Sequence, residues 1–229
     1  MRSETTSPVE KIDEIVQRMS LLKHPFYQKW SCGELTAAQL SGYAKEYFQL
    51  VKAVPGLVGN VGAALGRRED ENENASLGSA ILGNFQEEQE HIELWRRFAS
   101  SLGIGREELD SYAASQKTVE AVSQLESLSK LSFEEAIASM YAYESALPEI
   151  SRSKTKGLKE FYGLDSNEAT IYFNTHEKVD VLHAALWRGI LEKLPSDKQE
   201  AAILAATKSM EAQNLLLDSV MDRYVNNPA

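Results

Sequence analysis

Apolar residues recur every three to four positions along most of this chain, and this spacing restricts its fold more than any other feature. The pattern is clear at residues 9–23, where it matches one buried face of an amphipathic helix. Little in the sequence favours strands. We therefore predict an all-α protein, a single-domain bundle of seven to eight helices over residues 9–225, preceded by a flexible segment at residues 1–8.

Caps and helix breakers predict several helix boundaries. Thr36 and Ser132 are each followed three residues later by Gln or Glu, which is the spacing of a capping box at a helix start. Pro55 marks a kink or boundary between two helical runs. Pro148 is expected to bend the helix that begins near residue 133 rather than to end it.

The composition disfavours several classes of function. The 229 residues include 34 acidic and 24 basic side chains, and the resulting net charge of −10 argues against binding to nucleic acid or to an anionic membrane surface. No apolar run approaches the roughly 20 residues that span a bilayer. Cys32 is the only cysteine, so no disulfide can form within the chain, and a reducing cytoplasm is the expected location.

His176, Asp180 and His183 are the strongest candidates for chemistry. They lie in a helix predicted for residues 168–191, at positions i, i+4 and i+7. Because a helix turns about 100° per residue, the three side chains should lie within roughly 40° of one another. Two imidazoles and a carboxylate suit iron, manganese or zinc. A solvated helix face is the alternative interpretation.

Two other helical stretches add further metal-competent side chains. Glu88 and His91 have the Glu-x-x-His spacing of helical di-iron proteins, although the spacing allows Glu87 as the ligand as well. Glu144 lies among small and aromatic residues, where a buried carboxylate needs a bound cation or a basic side chain as its partner. Three histidines and three carboxylates predict two divalent cations. A dioxygen-activating redox pair fits this set better than structural zinc, which normally uses four ligands that often include cysteine.

Tyrosines are concentrated in the segments that would meet at this site. They are Tyr27, Tyr43, Tyr47, Tyr141, Tyr143 and Tyr172. Core packing accounts for most of them, but a phenol near an oxidising metal is also an electron donor or a substrate. Lys154 is expected to be solvated. His24 is interpreted as a capping or core residue, with haem ligation as the alternative.

Four separated blocks, in the same order, resemble the haem-oxygenase-like di-metal oxidases. They are HPFYQKWSCGELTAAQLSGYAKEYF, HIELWRRFASSLGI, YAYESALPEISRSKTKGL and YFNTHEKVDVLH. The nearest branch is similar to the chlamydial protein associating with death domains and its bacterial relatives. The resemblance extends along nearly the whole chain. It implies a haem-oxygenase-like or thiaminase-like bundle that carries two metals instead of haem.

The resemblance also implies a ligand set for an Fe/Fe or Mn/Fe pair. The set is Glu88, His91, Glu144, His176, Asp180 and His183. Relatives usually place the first glutamate seven residues before the histidine, whereas this chain has Asn84 at that position. Moving the carboxylate to Glu88 keeps the same helix face but shifts it by roughly 6 Å along the axis.

The resemblance to this branch implies para-aminobenzoate synthesis for folate, in which the protein's own tyrosine supplies the ring and a lysine supplies the amino group. Tyr27 and Lys154 match those two positions. Tyr43, Tyr143 and Tyr172 match positions near the metals, where they would relay electrons. Dioxygen, an external reductant and a homodimeric assembly are implied as well.

Other functions stay open at this point. A di-metal oxidase with this fold can instead act on an external small molecule, such as an amino acid or a fatty acid. A non-enzymatic interaction protein is suggested by the name of the chlamydial relative and by no residue in this chain. A thiaminase-like hydrolase needs a buried nucleophilic cysteine, whereas Cys32 is expected in a loop.

Overall fold

The computed structural model describes residues 7–67 and 71–226, with the backbone alone for residues 71–74. These residues form helices and contain no strand. The helices are α1 (Pro8–Arg18), α2 (Pro25–Ser31), α3 (Ala37–Leu65), α4 (Glu71–Ser101), α5 (Arg106–Asp110), α6 (Gln116–Ser129), α7 (Phe133–Glu144), α8 (Leu147–Phe161), α9 (Asn167–Leu191) and α10 (Gln199–Val220). Eight of these helices are longer than ten residues, so the predicted all-α bundle is confirmed.

Capping boxes begin three of the helices. Those predicted at Thr36 and Ser132 are present, because each hydroxyl accepts the backbone N–H three residues later and the side chain there reaches back. A third box at Ser7 begins α1, so Pro8 is helical rather than part of a flexible segment. The rest of that predicted segment, residues 1–6, lies outside the described residues.

The two prolines that were predicted to kink, bend or interrupt helices, Pro55 and Pro148, differ in their effect on helix continuity. Pro55 lies inside α3, which continues to Leu65 without a boundary. The prediction that Pro148 bends one continuous helix is wrong, because α7 ends at Glu144 and α8 begins at Leu147. A proline ring clashes with the carbonyl four residues earlier, and here that carbonyl belongs to Glu144. Pro148 is instead accommodated in the first turn of α8, where its missing N–H needs no partner.

The packing of the long helices creates two neighbouring interior regions. α9 packs against α4, α7 and α8. α3 runs beside α4, and α2 packs against α8. α10 closes the bundle against α6 and α7. By length and composition α3 resembles a membrane span, but 56% of its most apolar window is buried within the bundle, as expected for a core helix.

Candidate metal centre and tyrosine cluster

Two groups of metal-competent side chains meet between α4 and α9. The first group is Glu88, His91 and His176, and the second is Glu88, Asp180 and His183. Within each group, one possible ligand atom from every residue lies within 4.8 Å of the others. All five side chains are buried. The predicted stripe on α9 therefore faces the predicted pair on α4, and Glu88 belongs to both groups.

Glu87 and Glu88 have different surroundings. Glu88 is 5% exposed and lies 3.3 Å from the Nδ1 atom of His91. Burial alone would raise the pKa of Glu88, but the neighbouring histidines outweigh burial and lower it. The side chain of Glu87 is 51% exposed and accepts a 3.0 Å hydrogen bond from Nε2 of His183. Glu87 therefore holds the outer nitrogen of this imidazole and leaves Nδ1 facing Glu88 and Asp180.

His176 is held in a similar way by the backbone. Its Nδ1 atom donates to the carbonyl oxygen of Tyr172 at 2.8 Å, which leaves Nε2 as the free nitrogen. Its ring centroid lies 4.4 Å from that of His91. Burial lowers the pKa of His176 to about 4, so the ring is neutral at physiological pH. Neutral imidazole is the form that binds metals.

Glu144 and Asp180 supply carboxylates with unsatisfied oxygens. One oxygen of Glu144 accepts a hydrogen bond from the indole N–H of Trp187, and the other oxygen has no hydrogen-bond partner. Both oxygens of Asp180 lack a partner as well. Burial raises the pKa of each carboxyl well above its ordinary value, with neighbouring acids contributing.

This pattern of unsatisfied atoms fits bound cations. Besides the two carboxyls, the Nδ1 atoms of His91 and His183 are buried without a hydrogen-bond partner. Buried polar atoms without partners cost free energy, and divalent cations would satisfy them together. Imidazole with carboxylate is a donor set for iron, manganese or zinc. The residues therefore fit two metal ions.

Asn84 is a further buried polar residue beside this centre. It lies one helical turn before Glu88 on the same face of α4 and is 3% exposed. Neither polar atom of its amide has a hydrogen-bond partner among the described residues. The position at which relatives are expected to have a glutamate is thus a neutral amide in this chain, and Glu88 supplies the carboxylate to the two groups.

A cluster of tyrosines surrounds Lys154 next to the candidate metal centre. The Nζ atom of Lys154 donates a 2.5 Å hydrogen bond to the hydroxyl of Tyr43, which is 3.2 Å from the hydroxyl of Tyr27. The same Nζ atom lies 4.8 Å from the ring centroid of Tyr27 and 4.9 Å from that of Tyr47. These tyrosines are buried, and burial raises the pKa of each phenol, so the hydroxyls are protonated.

The expectation that Lys154 is solvated is wrong, because only 4% of the residue is exposed. Burial lowers the pKa of its amine well below the ordinary 10.5. The neighbouring Trp30 donates from its indole N–H to the backbone carbonyl of Lys154 at 3.2 Å and packs against Gly157. A Cβ atom at residue 157 would lie 2.6 Å from the indole ring, so this close approach needs glycine.

Aromatic rings connect the tyrosine cluster with the candidate metal centre. Tyr172 stacks on His176 with a centroid distance of 4.0 Å, and Trp95 lies 4.7 Å from Tyr172. Trp95 in turn lies 5.1 Å from Tyr47 and 5.8 Å from Tyr43. Trp95 was not singled out from the sequence, and Tyr47 was named there without a specific role. Tyr47 follows Tyr43 by one helical turn, which was the available signal for its role.

Tyr143, which was predicted to lie near the metals, is buried close to both regions. Its side chain is hydrogen-bonded to Tyr47, and this bond lowers the pKa of the Tyr47 phenol, against the larger effect of burial. Burial raises the pKa of Tyr143 itself, with contributions from Glu88 and Asp180. The structure thus brings together the four tyrosines to which the resemblance gave a role. They are Tyr27, Tyr43, Tyr143 and Tyr172.

Three other residues that the sequence singled out lie elsewhere. The hydroxyl of Tyr141 donates to Asp13 in α1 at 2.6 Å. His24 caps α2, with Nδ1 accepting from a backbone N–H and Nε2 bonded to Asp218, so both ring nitrogens are occupied and neither is left for haem. Cys32 is exposed at the end of α2. A buried nucleophilic cysteine is therefore absent.

Sequence comparison identifies close relatives. Residues 9–223 match the TENA/THI-4/PQQC family. The chain is 34% identical to the 4-aminobenzoate synthase of Chlamydia trachomatis over 219 residues, which cover 93% of this chain and 92% of that protein. It is 30% identical to the 4-aminobenzoate synthase of Nitrosomonas europaea over 227 residues, which cover 95% and 92% of the two chains.

Solved structures share the fold at low sequence identity. A TenA homologue from Pseudomonas syringae has a TM-score of 0.79 at 16% identity, covering 94% of this chain and 91% of the other. A CADD-like protein from Nostoc punctiforme has a TM-score of 0.71 at 14% identity, covering 95% and 98%. A domain with a haem-oxygenase-like fold from Shewanella denitrificans has a TM-score of 0.80 at 18% identity, covering 96% and 94%. The chain therefore belongs to the TENA/THI-4/PQQC family and has its haem-oxygenase-like fold.

Proposed function

We propose that this chain is an oxygen-activating di-metal oxidase that forms para-aminobenzoate from its own residues. Relatives at 30–34% identity over at least 90% of their length are named 4-aminobenzoate synthase. The compound 4-aminobenzoate is para-aminobenzoate under another name. Tyr27 would supply the aromatic ring, and Lys154 would supply the nitrogen. The observation that carries this proposal is the buried amine of Lys154, which contacts tyrosine phenols in the core of the protein.

The candidate metal centre would hold the two cations. Glu88 would be shared, with His91 and His176 on one side and Asp180 and His183 on the other. Glu144, whose carboxyl interacts electrostatically with His183 and Asp180, would add a ligand on that second side. Fe/Fe and Mn/Fe pairs both suit these donors. Redox metals bound there would supply the activation of dioxygen, with electrons from an external reductant. Glu87 and the carbonyl of Tyr172 orient two of the imidazoles, and the buried aromatic rings keep water away from the reacting groups.

The structure of the product shows which bonds of Tyr27 must change. Para-aminobenzoate is a ring with a carboxyl carbon opposite an amino group, and tyrosine is a ring with Cβ opposite a hydroxyl. The bond between Cα and Cβ must therefore break, Cβ must be oxidised to a carboxyl group by dioxygen, and nitrogen must replace the phenol oxygen. A chain that has reacted once has lost this side chain, so the protein is consumed or turns over very few times.

The environment of Lys154 prepares its nitrogen for this role. An ammonium ion has no lone pair, whereas a neutral amine can attack an electron-poor ring carbon. Burial lowers the pKa of Lys154 well below its ordinary value and so favours the neutral amine. Its hydrogen bond to Tyr43 places the nitrogen beside the Tyr27 ring and holds it there.

Isotopic labelling tests this function directly. Protein made with ring-labelled tyrosine or with side-chain ¹⁵N-lysine is loaded with iron or with manganese and iron, reduced, exposed to oxygen and extracted for mass spectrometry. We expect para-aminobenzoate that carries both labels. The Tyr27→Phe and Lys154→Met variants should form none, whereas Tyr141→Phe, outside the cluster, should form wild-type amounts. Unlabelled product, or no product with an unchanged chain mass, would contradict the proposal.

A second candidate is an oxidase that acts on an external small molecule. A cavity of about 600 Å³ lies between α4, α7 and α9, with Ile137 and Leu191 in its wall. Leu191 is one helical turn from Trp187, which contacts Glu144 of the candidate metal centre. Repeated turnover of an added amino acid or fatty acid, with Tyr27 intact in the recovered chain, would favour this function.

A further inference from the structure

Aromatic side chains also lead from the tyrosine cluster toward the protein surface. Trp30 lies 5.4 Å from Tyr43 between ring centroids, and Tyr162 lies 5.9 Å from Trp30. Trp30 is buried, whereas Tyr162 at the end of α8 is partly exposed. Trp95 and Tyr172 connect the same cluster to the candidate metal centre. The rings together reach from that centre to the surface.

Tyr162 is fixed at the outer end of this series. Its hydroxyl donates to the carbonyl oxygen of Trp30 at 3.0 Å and accepts from the backbone N–H of Leu35 at 3.4 Å. Phe161, beside it, is 49% exposed, and its ring packs against Gly33 in the turn that follows α2. The hydrogen bonds of Tyr162 to Trp30 and Leu35 therefore hold its ring against Trp30, at the edge of the protein.

The aromatic neighbours of Trp30 differ in how easily they are oxidised. Trp30 also contacts Phe26 and Phe173, at 6.2 and 6.5 Å, and phenylalanine is hard to oxidise. The two shortest contacts of the Trp30 ring are instead with tyrosines, which are readily oxidised. A chain of oxidisable rings in contact is what electron transfer over several side chains requires.

We propose that Trp30 and Tyr162 form the route by which electrons from a one-electron reductant at the surface reach the tyrosine cluster. In the oxidising step, Tyr43 would lose one electron to the oxidant that redox metals and dioxygen would supply at the candidate metal centre. Its phenolic proton would pass to the lone pair of the neutral Lys154 amine, with the phenol as donor across the same 2.5 Å contact. In the reducing step, the surface reductant loses one electron, which passes through Tyr162 and Trp30 to Tyr43. The proton returns from Lys154, so Tyr43 is restored as a neutral phenol.

This inference rests on the proposed function, because the route is useful only if the tyrosine cluster is oxidised. It places the docking position of the reductant at the ends of α2 and α8. The surface there is formed by Cys32, Gly33, Phe161 and Tyr162. A reductant seated on these residues would be separated from Tyr43 by two aromatic rings.

The single cysteine allows a test that needs no turnover. Cys32 is exposed and follows Trp30 by two residues, so a ruthenium polypyridyl complex can be attached to its thiol. The full chain is loaded with zinc, which has no redox chemistry of its own. A light flash with an electron-accepting quencher then leaves an oxidised ruthenium that withdraws an electron from the protein. Transient absorption records the tyrosyl radical, and the part lost in Tyr43→Phe is the Tyr43 signal.

Two variants of Trp30 form a matched pair. Trp30→Phe and Trp30→Tyr both lose the indole bond to the Lys154 carbonyl, but only tyrosine is readily oxidised. We expect Trp30→Tyr to keep the Tyr43 signal, and Trp30→Phe to slow its formation by about tenfold or more. Tyr162→Phe, which leaves Trp30 in place, should also slow it.

Equal rates in Trp30→Phe and Trp30→Tyr, together with an unaffected Tyr162→Phe, would overturn the proposed route. Because the zinc-loaded protein forms no para-aminobenzoate, this result is independent of the labelling experiment. Labelled product with no effect of Trp30→Phe would leave the proposed function intact and remove the route. A slower Tyr43 signal in Trp30→Phe with no labelled para-aminobenzoate would leave the electron route intact and remove the proposed function.

Discussion

Lys154 and Tyr43 are joined by a 2.5 Å hydrogen bond from the amine to the phenol oxygen, with aromatic rings on several sides of the nitrogen. Lysine is rarely buried without a charged partner, because an ammonium ion loses its hydration there. Burial lowers the pKa of the amine, and the neutral form that this favours carries less of the cost. The same property that makes the nitrogen a nucleophile therefore reduces the stability of the fold.

Replacing Lys154 by methionine should stabilise the protein near neutral pH. The folded-state pKa lies below the ordinary 10.5, so the unfolded chain binds the extra proton and the free energy of unfolding rises with pH between the two values. Lys154→Met removes this dependence, and each unit of pKa depression corresponds to about 1.4 kcal/mol. Urea unfolding at several pH values should show the advantage of the variant shrinking toward pH 10. Lys156→Met, at an exposed position, should behave like wild type.

Removing the carboxylate of Glu87 should weaken metal binding without affecting the fold. Glu87 holds the outer nitrogen of His183, and loss of such a partner typically costs roughly 10- to 100-fold in metal affinity. Its exposure keeps the change in unfolding free energy within about 0.5 kcal/mol. Competition with a chelator measures the affinity, and Glu90→Ala, exposed on the same helix, is the control. Equal affinities for the Glu87→Ala and Glu90→Ala variants would mean that Glu87 has no part in metal binding.

Glu144→Gln should have opposite effects in the metal-free and metal-loaded protein. The folded-state pKa of Glu144 is raised above 4.5, so the folded chain keeps a proton that the unfolded chain releases, and stability falls as the pH rises. Without metal, the stability of the variant relative to wild type should therefore increase from about pH 5 upward. With metal, the variant lacks a ligand and should be the less stable protein. Thermal unfolding across pH, with and without added metal, measures both effects.

Gly157→Ala should destabilise the protein by about 1–3 kcal/mol, because its Cβ would overlap the indole ring of Trp30. The displaced indole would also lose its hydrogen bond to the backbone of Lys154. Gly83→Ala is the matched control, since a Cβ there meets no atom within 4 Å and alanine favours a helix by about 1 kcal/mol. Denaturant midpoints should therefore move in opposite directions for the two variants. A shift of both in the same direction would contradict the steric explanation.

Helical spacing alone predicts that His176, Asp180 and His183 share a face of α9, and in the structure all three are buried near Glu88 of α4. It could not decide between Glu87 and Glu88. Adjacent helical residues point about 100° apart, and the rotation of α4 about its axis is set by how residues such as Trp95 pack against other helices.

The burial of Lys154 could not be predicted from its neighbours in the chain, which are largely polar. The rings that cover it come from Tyr27 and Tyr43, more than 100 residues earlier, and only tertiary packing brings them over α8. The break between α7 and α8 has a local cause, because Pro148 is incompatible with the carbonyl of Glu144. Our prediction there weighed the resumption of helical periodicity above the steric rule.

Glu88 contributes its carboxylate to both groups of side chains in the candidate metal centre. A single negative charge thus counts toward two cations, and the field felt by the second ion to arrive depends on whether the first is already present. The two positions would consequently be coupled rather than independent in their occupancy. The affinity of the second position would then depend on the charge of the ion already held at the first.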